Sequence, residues 1–119
     1  MAQHNKLGAE GEKMAVELLR AKGYLIREQN YRFQRAEIDI IAETADQLVI
    51  VEVKTRNSDF FGDPQSFVTP SQIQNLVRAA DHYVARNEIN KEVRFDIVAV
   101  LKNQYQQRIQ HFEDAFYYF

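Results

Sequence analysis

Two acidic side chains and a lysine face one another across a hairpin that the sequence predicts over residues 36–55. With a turn of either two or four residues, the strands pair so that Asp39 lies opposite Glu52 and Glu37 opposite Lys54. The Cβ atoms of Asp39 and Glu52 are then ~5 Å apart. This spacing predicts either a raised pKa on one acid or a cation site, with a plain Glu37–Lys54 ion pair as the alternative for those two residues.

Burial of the two acidic side chains would lower the stability of the fold. The residues around Glu52 are apolar at successive positions, which is typical of an interior strand covered on both faces. A buried charge without a partner costs several kcal/mol. Either a raised pKa on one acid or a divalent cation would reduce that cost, since carboxylate oxygens suit Mg²⁺ or Mn²⁺. Regular alternation also predicts that Glu37, Asp39 and Ile41 share one face of their strand.

Glu12 is a candidate third acid. It lies on the apolar stripe of a predicted first helix, beside Gly8 and Gly11, whose small size would let that helix approach the sheet closely. With the two hairpin acids and Lys54 it gives a local charge of −2, which one divalent ion neutralises. Such a site can hydrolyse a phosphodiester, with the lysine orienting water or offsetting phosphate charge. If the register shifts by one residue, Glu12 is a solvated helix residue instead.

The predicted elements that position these residues run in the order α-β-β-β-α-β. Apolar residues three and four apart predict a first helix over Leu7–Lys22. A second helix is predicted to begin after Thr69, with Pro70 in its first turn and Gln72 completing a capping box. The predicted strands are Tyr24–Asn30, Ala36–Glu43, Leu48–Thr55 and Val93–Leu101, with Arg108–Phe112 as a candidate fifth. This order predicts one α/β domain over residues 1–119, a mixed sheet flanked by helices.

The composition excludes several classes of site. The 119 residues suffice for one domain with its own core. With no cysteine, the chain has no disulfide, thiolate metal site or cysteine nucleophile. Fifteen basic and seventeen acidic residues give a formal charge of −2, so nucleic-acid contact depends on a local basic patch. No apolar run approaches the ~20 residues of a membrane span, and the polar amino terminus is unlike a signal peptide, which together predict a cytoplasmic protein.

A longer series of residues resembles a known family. The spacing Glu37-Ile-Asp39, twelve residues, Glu52-Val-Lys54 is similar to the split motif of the PD-(D/E)XK nuclease superfamily. Over nearly the whole chain the sequence resembles the YraN family of uncharacterised bacterial proteins, which are placed in that superfamily. Further positions that carry the resemblance are Gly8 to Glu12, Gly23-Tyr24, Asn30 to Arg32, Val51 to Arg56, Val68-Thr69, Ala79-Ala80 and Arg94 to Asp96.

This resemblance implies a restriction-endonuclease-like fold, related to that of archaeal Holliday-junction resolvases. It implies a metal-dependent endonuclease that acts on nucleic acid, DNA rather than RNA, with a homodimer by analogy to the resolvases. The catalytic residues carried over by position are Glu12, Asp39, Glu52 and Lys54. The implied Mg²⁺ or Mn²⁺ ligands are Asp39, Glu52 and the backbone carbonyl of Val53.

Two positions depart from the family pattern. Ala36 stands where the family commonly has Gly, and Gln72 stands where many members carry Lys, so that one positive charge is lost. Gln72, Arg32, Arg35 and Arg56 could still line a surface that binds nucleic-acid phosphates, with a solvated rim as an equal alternative. The lost charge and the acidic balance keep a second hypothesis open, a non-catalytic nucleic-acid-binding module on a nuclease-like fold.

Clustered aromatic residues give a third hypothesis, a protein-interaction module. Three phenylalanines lie in the predicted loop 56–70, and five aromatic residues lie in the tail 112–119. The loop residues are Phe60, Phe61 and Phe67. Exposed, the loop residues would bind a partner or stack on unpaired bases, and the tail would form a dimer contact. Folding of the loop back onto the domain is an equal alternative. Burial against the domain is the prediction for Phe112 and Phe116.

Overall fold

The computed structural model describes residues 6–58 and 68–116, which form two helices and five strands. They are α1 (Lys6–Ala21), β1 (Leu25–Phe33), β2 (Ala36–Glu43), β3 (Gln47–Arg56), α2 (Pro70–Arg86), β4 (Glu92–Lys102) and β5 (Gln107–Phe112). The predicted order is confirmed, including the fifth strand. No helix among the described residues is long and apolar enough to cross a membrane.

The strands form a single mixed sheet in the order β1-β2-β3-β4-β5. β3 and β4 pair in parallel, whereas the other neighbours are antiparallel. Parallel strands need a crossover connection, and α2 lies in the one between β3 and β4. The chain is therefore an α/β protein with a five-stranded mixed sheet flanked by two helices, and β3 is the central strand.

Each helix covers its own hydrophobic core. On the α1 side, Val49 and Val51 of β3 pack with Ala15, Val16 and Leu19. On the α2 side, the core includes Leu48, Ile50, Leu76, Ala80 and Tyr83. Alternate residues of β3 thus enter opposite cores. This arrangement explains the predicted interior strand, and Glu52 follows Leu48 and Ile50 on the face that α2 covers.

The start of α2 matches the predicted cap. The Gln72 N–H donates to Oγ1 of Thr69 at 3.1 Å, and the Thr69 N–H donates to Oε1 of Gln72 at 2.8 Å. Pro70 occupies the first helical turn, where its missing N–H is no loss. This reciprocal cap fixes the side chain of Gln72 at the helix end that faces the candidate site.

The carboxyl-terminal aromatics are partly described. Phe116 is buried and its ring lies 5.3 Å from that of Phe95, while Phe112 is half-buried against the same core. The predicted burial is confirmed for Phe116 and in part for Phe112. Phe60, Phe61 and Phe67 of the loop lie outside the described residues, as do residues 117–119 of the tail. The interaction hypothesis therefore stays a prediction.

Gly11 sets the approach of α1 to β3. A Cβ at this position would lie 2.1 Å from Oγ1 of Thr55 and 3.0 Å from its Cβ. Because real side chains do not approach so closely, Gly11→Ala is expected to shift the helix from the sheet and to lower the free energy of unfolding by about 1 to 3 kcal/mol. This loss is expected in spite of the ~1 kcal/mol by which Ala favours a helix.

Urea denaturation measures the effect of Gly11→Ala. Thr55→Ala removes the two outer atoms of the clash and is expected to restore part of the lost stability in the double variant. Equal losses from Gly11→Ala with and without Thr55→Ala would show that this contact does not fix the helix.

Candidate active site

The pairing between β2 and β3 ends where the acidic residues begin. Bonded pairs run from Glu43–Leu48 to Ile40–Val51, which is the predicted register. The next pair in that register would be Asp39 and Glu52. There the Asp39 carboxylate accepts a hydrogen bond from the Val53 N–H at 2.8 Å. A side chain thus takes the place of a backbone acceptor, and the two strands separate around it.

Side-chain alternation along β2 also breaks at Asp39. Ile38 packs in the core beneath α2, but Ile40, two positions further, packs in the core beneath α1. The prediction that Glu37, Asp39 and Ile41 share one face is therefore wrong, because regular alternation does not hold across this residue. The opposite residue on β1, Asn30, has a φ of 55°, in the left-handed region that interrupts a regular strand.

The Asp39 and Glu52 carboxyl groups are largely withdrawn from solvent, and each affects the pKa of the other. Burial raises the pKa of Glu52 to about 8, the charge of Asp39 adds to that shift, and Lys54 opposes it. Burial also raises the pKa of Asp39, against the hydrogen bond from the Val53 N–H. At neutral pH the pair therefore retains a proton, which is the first of the two compensations that the sequence predicts.

One oxygen of the pair is buried without a partner. Among the described residues, Oε1 of Glu52 is the one buried side-chain oxygen or nitrogen that lacks a hydrogen-bond partner. The other oxygen, Oε2, lies 3.4 Å from Nζ of Lys54. Buried polar atoms in native proteins are nearly always hydrogen-bonded, so an orphaned carboxylate oxygen needs an explanation. A ligand at Glu52 would supply one.

The groups around Glu52 match part of the ligand set of a hard cation. Asp39 and Glu52 offer carboxylate oxygens. The Val53 N–H points toward Asp39, and because the N–H and C=O of a strand residue point to the same edge, its carbonyl lies on that side too. Such oxygens suit Mg²⁺ or Mn²⁺. Within residues 6–58 and 68–116, no three Asp, Glu or His side chains form a metal-binding group, so the remaining ligands would be water or substrate oxygens.

Glu12 lies at a different concavity. That cleft, of about 460 Å³, runs between α1 and β1, and its lining includes Glu12, Gln29 and Asn30 but neither hairpin acid. Asn30 is the β1 residue opposite Asp39, so the cleft begins beside the break in β2. The role of Glu12 in a shared site stays a prediction.

A small cleft of about 160 Å³ opens at Glu52. Its lining consists of Arg35, Ala36, Glu37, Glu52, Gln72, Asn75 and Leu76. The structure thus brings two of the four predicted nucleic-acid-binding residues, Arg35 and Gln72, next to the candidate catalytic acid. Ala36, the departure from the family pattern, forms part of the wall.

The other two predicted binding residues do not line this cleft. Arg32 is half-exposed on β1, with its Nη2 3.7 Å from Oε1 of Glu37. Arg56 is exposed at the end of β3, where it donates to the Thr55 carbonyl at 3.0 Å. Both are placed for a wider rim around the cleft and not for contact at Glu52.

Two residues of α2 were missed by the reasoning from sequence. Asn75 lines the cleft at Glu52, and Arg78 lines the concavity next to it. Gln72, Asn75 and Arg78 follow one another at three-residue spacing, which places them along one side of a helix. That polar row beside the apolar stripe of α2 is the signal by which they could have been found.

Comparison with known proteins gives one consistent match. Residues 11–100 match the model of a family described as "Uncharacterised protein family UPF0102". A UPF0102 protein of Christiangramia forsetii is 56% identical over 119 residues, and one of Flavobacterium psychrophilum is 57% identical over 119 residues; each match covers 100% of both chains. A UPF0102 protein of Bacteroides thetaiotaomicron is 46% identical over 117 residues, covering 98% of this chain and 97% of its own.

Proposed function

The chain belongs to the UPF0102 family, and we propose that it is a metal-dependent endonuclease that hydrolyses phosphodiester bonds of nucleic acid. We assign it a restriction-endonuclease-like fold, which the mixed sheet supports because the candidate site lies on its inner hairpin. The preference for DNA, which comes from the family resemblance, and the cytoplasmic location are both part of the proposal.

The observation that carries this proposal is the buried pair Asp39–Glu52 with an unpartnered oxygen on Glu52. A pair that served only to hold the fold together would be expected to satisfy its oxygens within the protein. Here one oxygen has no such partner, the pKa of Glu52 is raised by burial, and a cleft opens at the same residue. Raised pKa values and concave access together are typical of functional sites.

Each residue of the candidate site would have its own role. The Val53 N–H fixes the orientation of Asp39, and the Val53 carbonyl, on the same edge of β3, would be a further ligand. Lys54, 3.4 Å from Glu52, would offset phosphate charge or orient the attacking water. Arg35 would contact a phosphate in the cleft. A bound Mg²⁺ or Mn²⁺ would act as a Lewis acid on the phosphodiester.

A calorimetric titration with Mn²⁺ and Mg²⁺ tests the proposal directly. The wild-type protein is expected to bind one divalent ion, and Asp39→Asn to weaken that binding by at least about tenfold, because it removes a charged ligand that Val53 holds in place. Asp81→Asn, at an exposed position on α2, is the matched control and is expected to bind as the wild type does.

Two results of this titration would contradict a metal-dependent site. One is equal binding by the wild type and by Asp39→Asn. The other is no ion binding by the wild type even when an oligonucleotide is present to supply phosphate oxygens.

A second function is favoured by two observations. Within the described ranges no three acidic or histidine side chains group together, and Gln72 is neutral where a cation would strengthen phosphate binding. Both features fit a nucleic-acid-binding module without catalysis. Such a module is expected to bind oligonucleotides equally in EDTA and in Mg²⁺ and to leave them intact. Mn²⁺-dependent hydrolysis that disappears in Glu52→Gln would exclude it.

A further inference from the structure

A second concavity, of about 350 Å³, adjoins the cleft at Glu52. Its walls are Phe33, Gln34, Arg35, Ala36, Asn75 and Arg78. Three of these residues, Arg35, Ala36 and Asn75, also line the smaller cleft, so the two spaces are continuous. They form one groove between the β1–β2 turn and α2, which we call the turn–helix groove. Glu52 lies in the part nearer the acidic pair.

The outer part of the turn–helix groove is basic. Arg35 and Arg78 are both exposed, and no acidic residue lines this part, in a chain whose formal charge is −2. Arg78 is oriented by a hydrogen bond from its Nη1 to Oδ1 of Asn75 at 3.2 Å, which leaves its remaining N–H groups for a ligand. Two guanidinium groups at one groove are suited to a phosphate, because each can donate several charge-assisted hydrogen bonds.

Phe33 gives the groove an aromatic wall. Its ring stacks on His82, with centroids 4.0 Å apart and an interplanar angle of 18°. Nδ1 of His82 is in turn hydrogen-bonded to the Tyr31 hydroxyl at 2.8 Å. The ring is therefore held in place from behind. An aromatic wall with two side-chain amides, Gln34 and Asn75, matches the face and the polar edges of a nucleobase.

The size of the groove limits what it can hold. The outer part of the groove, of about 350 Å³, is near the lower end of the range of roughly 300 to 1,000 Å³ for small-ligand pockets, so it suits one nucleotide better than a base pair. A base inside a continuous duplex is stacked and paired, and its extraction costs a few kcal/mol. A base that is already unpaired avoids that cost.

We propose that the turn–helix groove binds an unpaired nucleotide next to the phosphodiester at Glu52, with its phosphate at Arg35 and Arg78 and its base against Phe33. This inference rests on the proposed function, because it assumes that the inner end of the groove holds the scissile bond. It narrows the substrate class to strands with an unpaired nucleotide at the cleavage position, such as single strands, flaps and frayed branch points.

Fluorescence anisotropy with a labelled single-stranded oligonucleotide and the matching duplex tests the groove. Measurements are made with the full chain, in EDTA and in Mg²⁺, and a gel checks that each oligonucleotide stays intact. The wild type is expected to bind the single strand about tenfold more tightly than the duplex, the difference that stacking of one base supplies. Arg78→Ala and Phe33→Leu are each expected to remove most of that preference. Arg86→Ala, an exposed arginine in the last turn of α2, is the control and is expected to keep it.

The possible failures are distinguishable. Wild-type affinity of Arg78→Ala for the single strand, or an equal loss for single strand and duplex, would overturn the groove inference and leave the proposed nuclease standing. Failure of the wild type to bind either oligonucleotide in Mg²⁺ would overturn the proposed function and the inference with it.

Discussion

Replacing Glu52 with glutamine is expected to stabilise the metal-free protein at about pH 8 by about 2 to 4 kcal/mol and to abolish binding of a divalent cation. The wild type must ionise Glu52 in a buried position against Asp39, which is why its pKa is raised to about 8. An amide needs no ionisation and can donate a hydrogen bond to the Asp39 carboxylate. Stability therefore rises while ion binding is lost, as expected for a functional residue that lowers the stability of the fold.

The same burial gives the wild type a defined pH dependence. In the unfolded chain Glu52 releases its proton near its ordinary pKa of 4.5, whereas the native protein retains the proton up to about pH 8. Between those values the native state binds more protons than the unfolded state, so raising the pH lowers the free energy of unfolding. Urea denaturation in EDTA at about pH 5 and about pH 8 measures this loss. The loss is expected to shrink strongly in Glu52→Gln.

Two controls separate this effect from general changes in charge. Glu28→Gln removes an exposed carboxylate on β1 and is expected to leave stability almost unchanged. Saturating Mn²⁺ is expected to stabilise the wild type and not Glu52→Gln, since only the native wild-type site binds the ion. A Glu52→Gln protein that is less stable than the wild type in EDTA at pH 8 would show that the ionised Glu52 does not destabilise the native state.

Much of the scaffold was predictable from local patterns. The register of β2 and β3 follows from the turn between them, because a turn of two or four residues leaves the same pairs opposite. The start of α2 follows from the chemistry of Thr69, Pro70 and Gln72, which satisfies orphan N–H groups within one turn. The acidic pair could be placed for the same reason: both residues lie close to a well-specified hairpin.

The break at Asp39 could not be predicted from the hydrophobic pattern. Ile38 and Ile40 are both apolar, so the sequence is compatible with their side chains on the same face of β2 or on opposite faces. Packing against the two helices determines which core each side chain enters. The hydrogen bond from the Val53 N–H to Asp39 replaces a ladder bond, which alternation does not encode. Arg78 was not predicted as a binding residue because that role requires the side of α2 that carries Arg78 to face the β1–β2 turn. Tertiary packing sets which side faces the turn.

Asp96→Asn is expected to lower the free energy of unfolding at neutral pH by about 3 to 5 kcal/mol, the largest loss of stability anticipated for this chain. Nε and Nη2 of Arg94 donate to the two carboxylate oxygens of Asp96 at 2.9 and 2.8 Å. Asp96 is fully buried and its oxygens also lie 2.7 Å from Nε2 of His111 and 2.9 Å from the donating N–H of Asp114.

The loss is large because one carboxylate joins several elements. Arg94 also donates to the Tyr24 hydroxyl at 2.6 Å and to Oε1 of Gln47 at 2.8 Å, so its side chain links the start of β1, the start of β3 and β4. Without the negative charge of Asp96, a guanidinium that is mostly buried would keep its neutral partners and the exposed carboxylate of Glu113, whose Oε1 lies 3.6 Å from Nη1 of Arg94. Removing one partner of a buried ion pair leaves the other charge uncompensated, which costs far more than a surface pair contributes.

The pH dependence identifies the carboxylate as the cause. Burial alone would raise the pKa of Asp96, but hydrogen bonds from His111, Arg94 and the Asp114 N–H outweigh it and hold the pKa below its ordinary value of 3.8. The contribution of Asp96 is therefore fully present above that value and is lost as the pH falls through the native pKa. Urea denaturation should show a large stability difference between the wild type and Asp96→Asn at about pH 7, and a difference that shrinks as the pH falls below 3.8. A constant difference, or an equal loss in the exposed control Asp81→Asn, would mean that the ion pair does not hold these strands together.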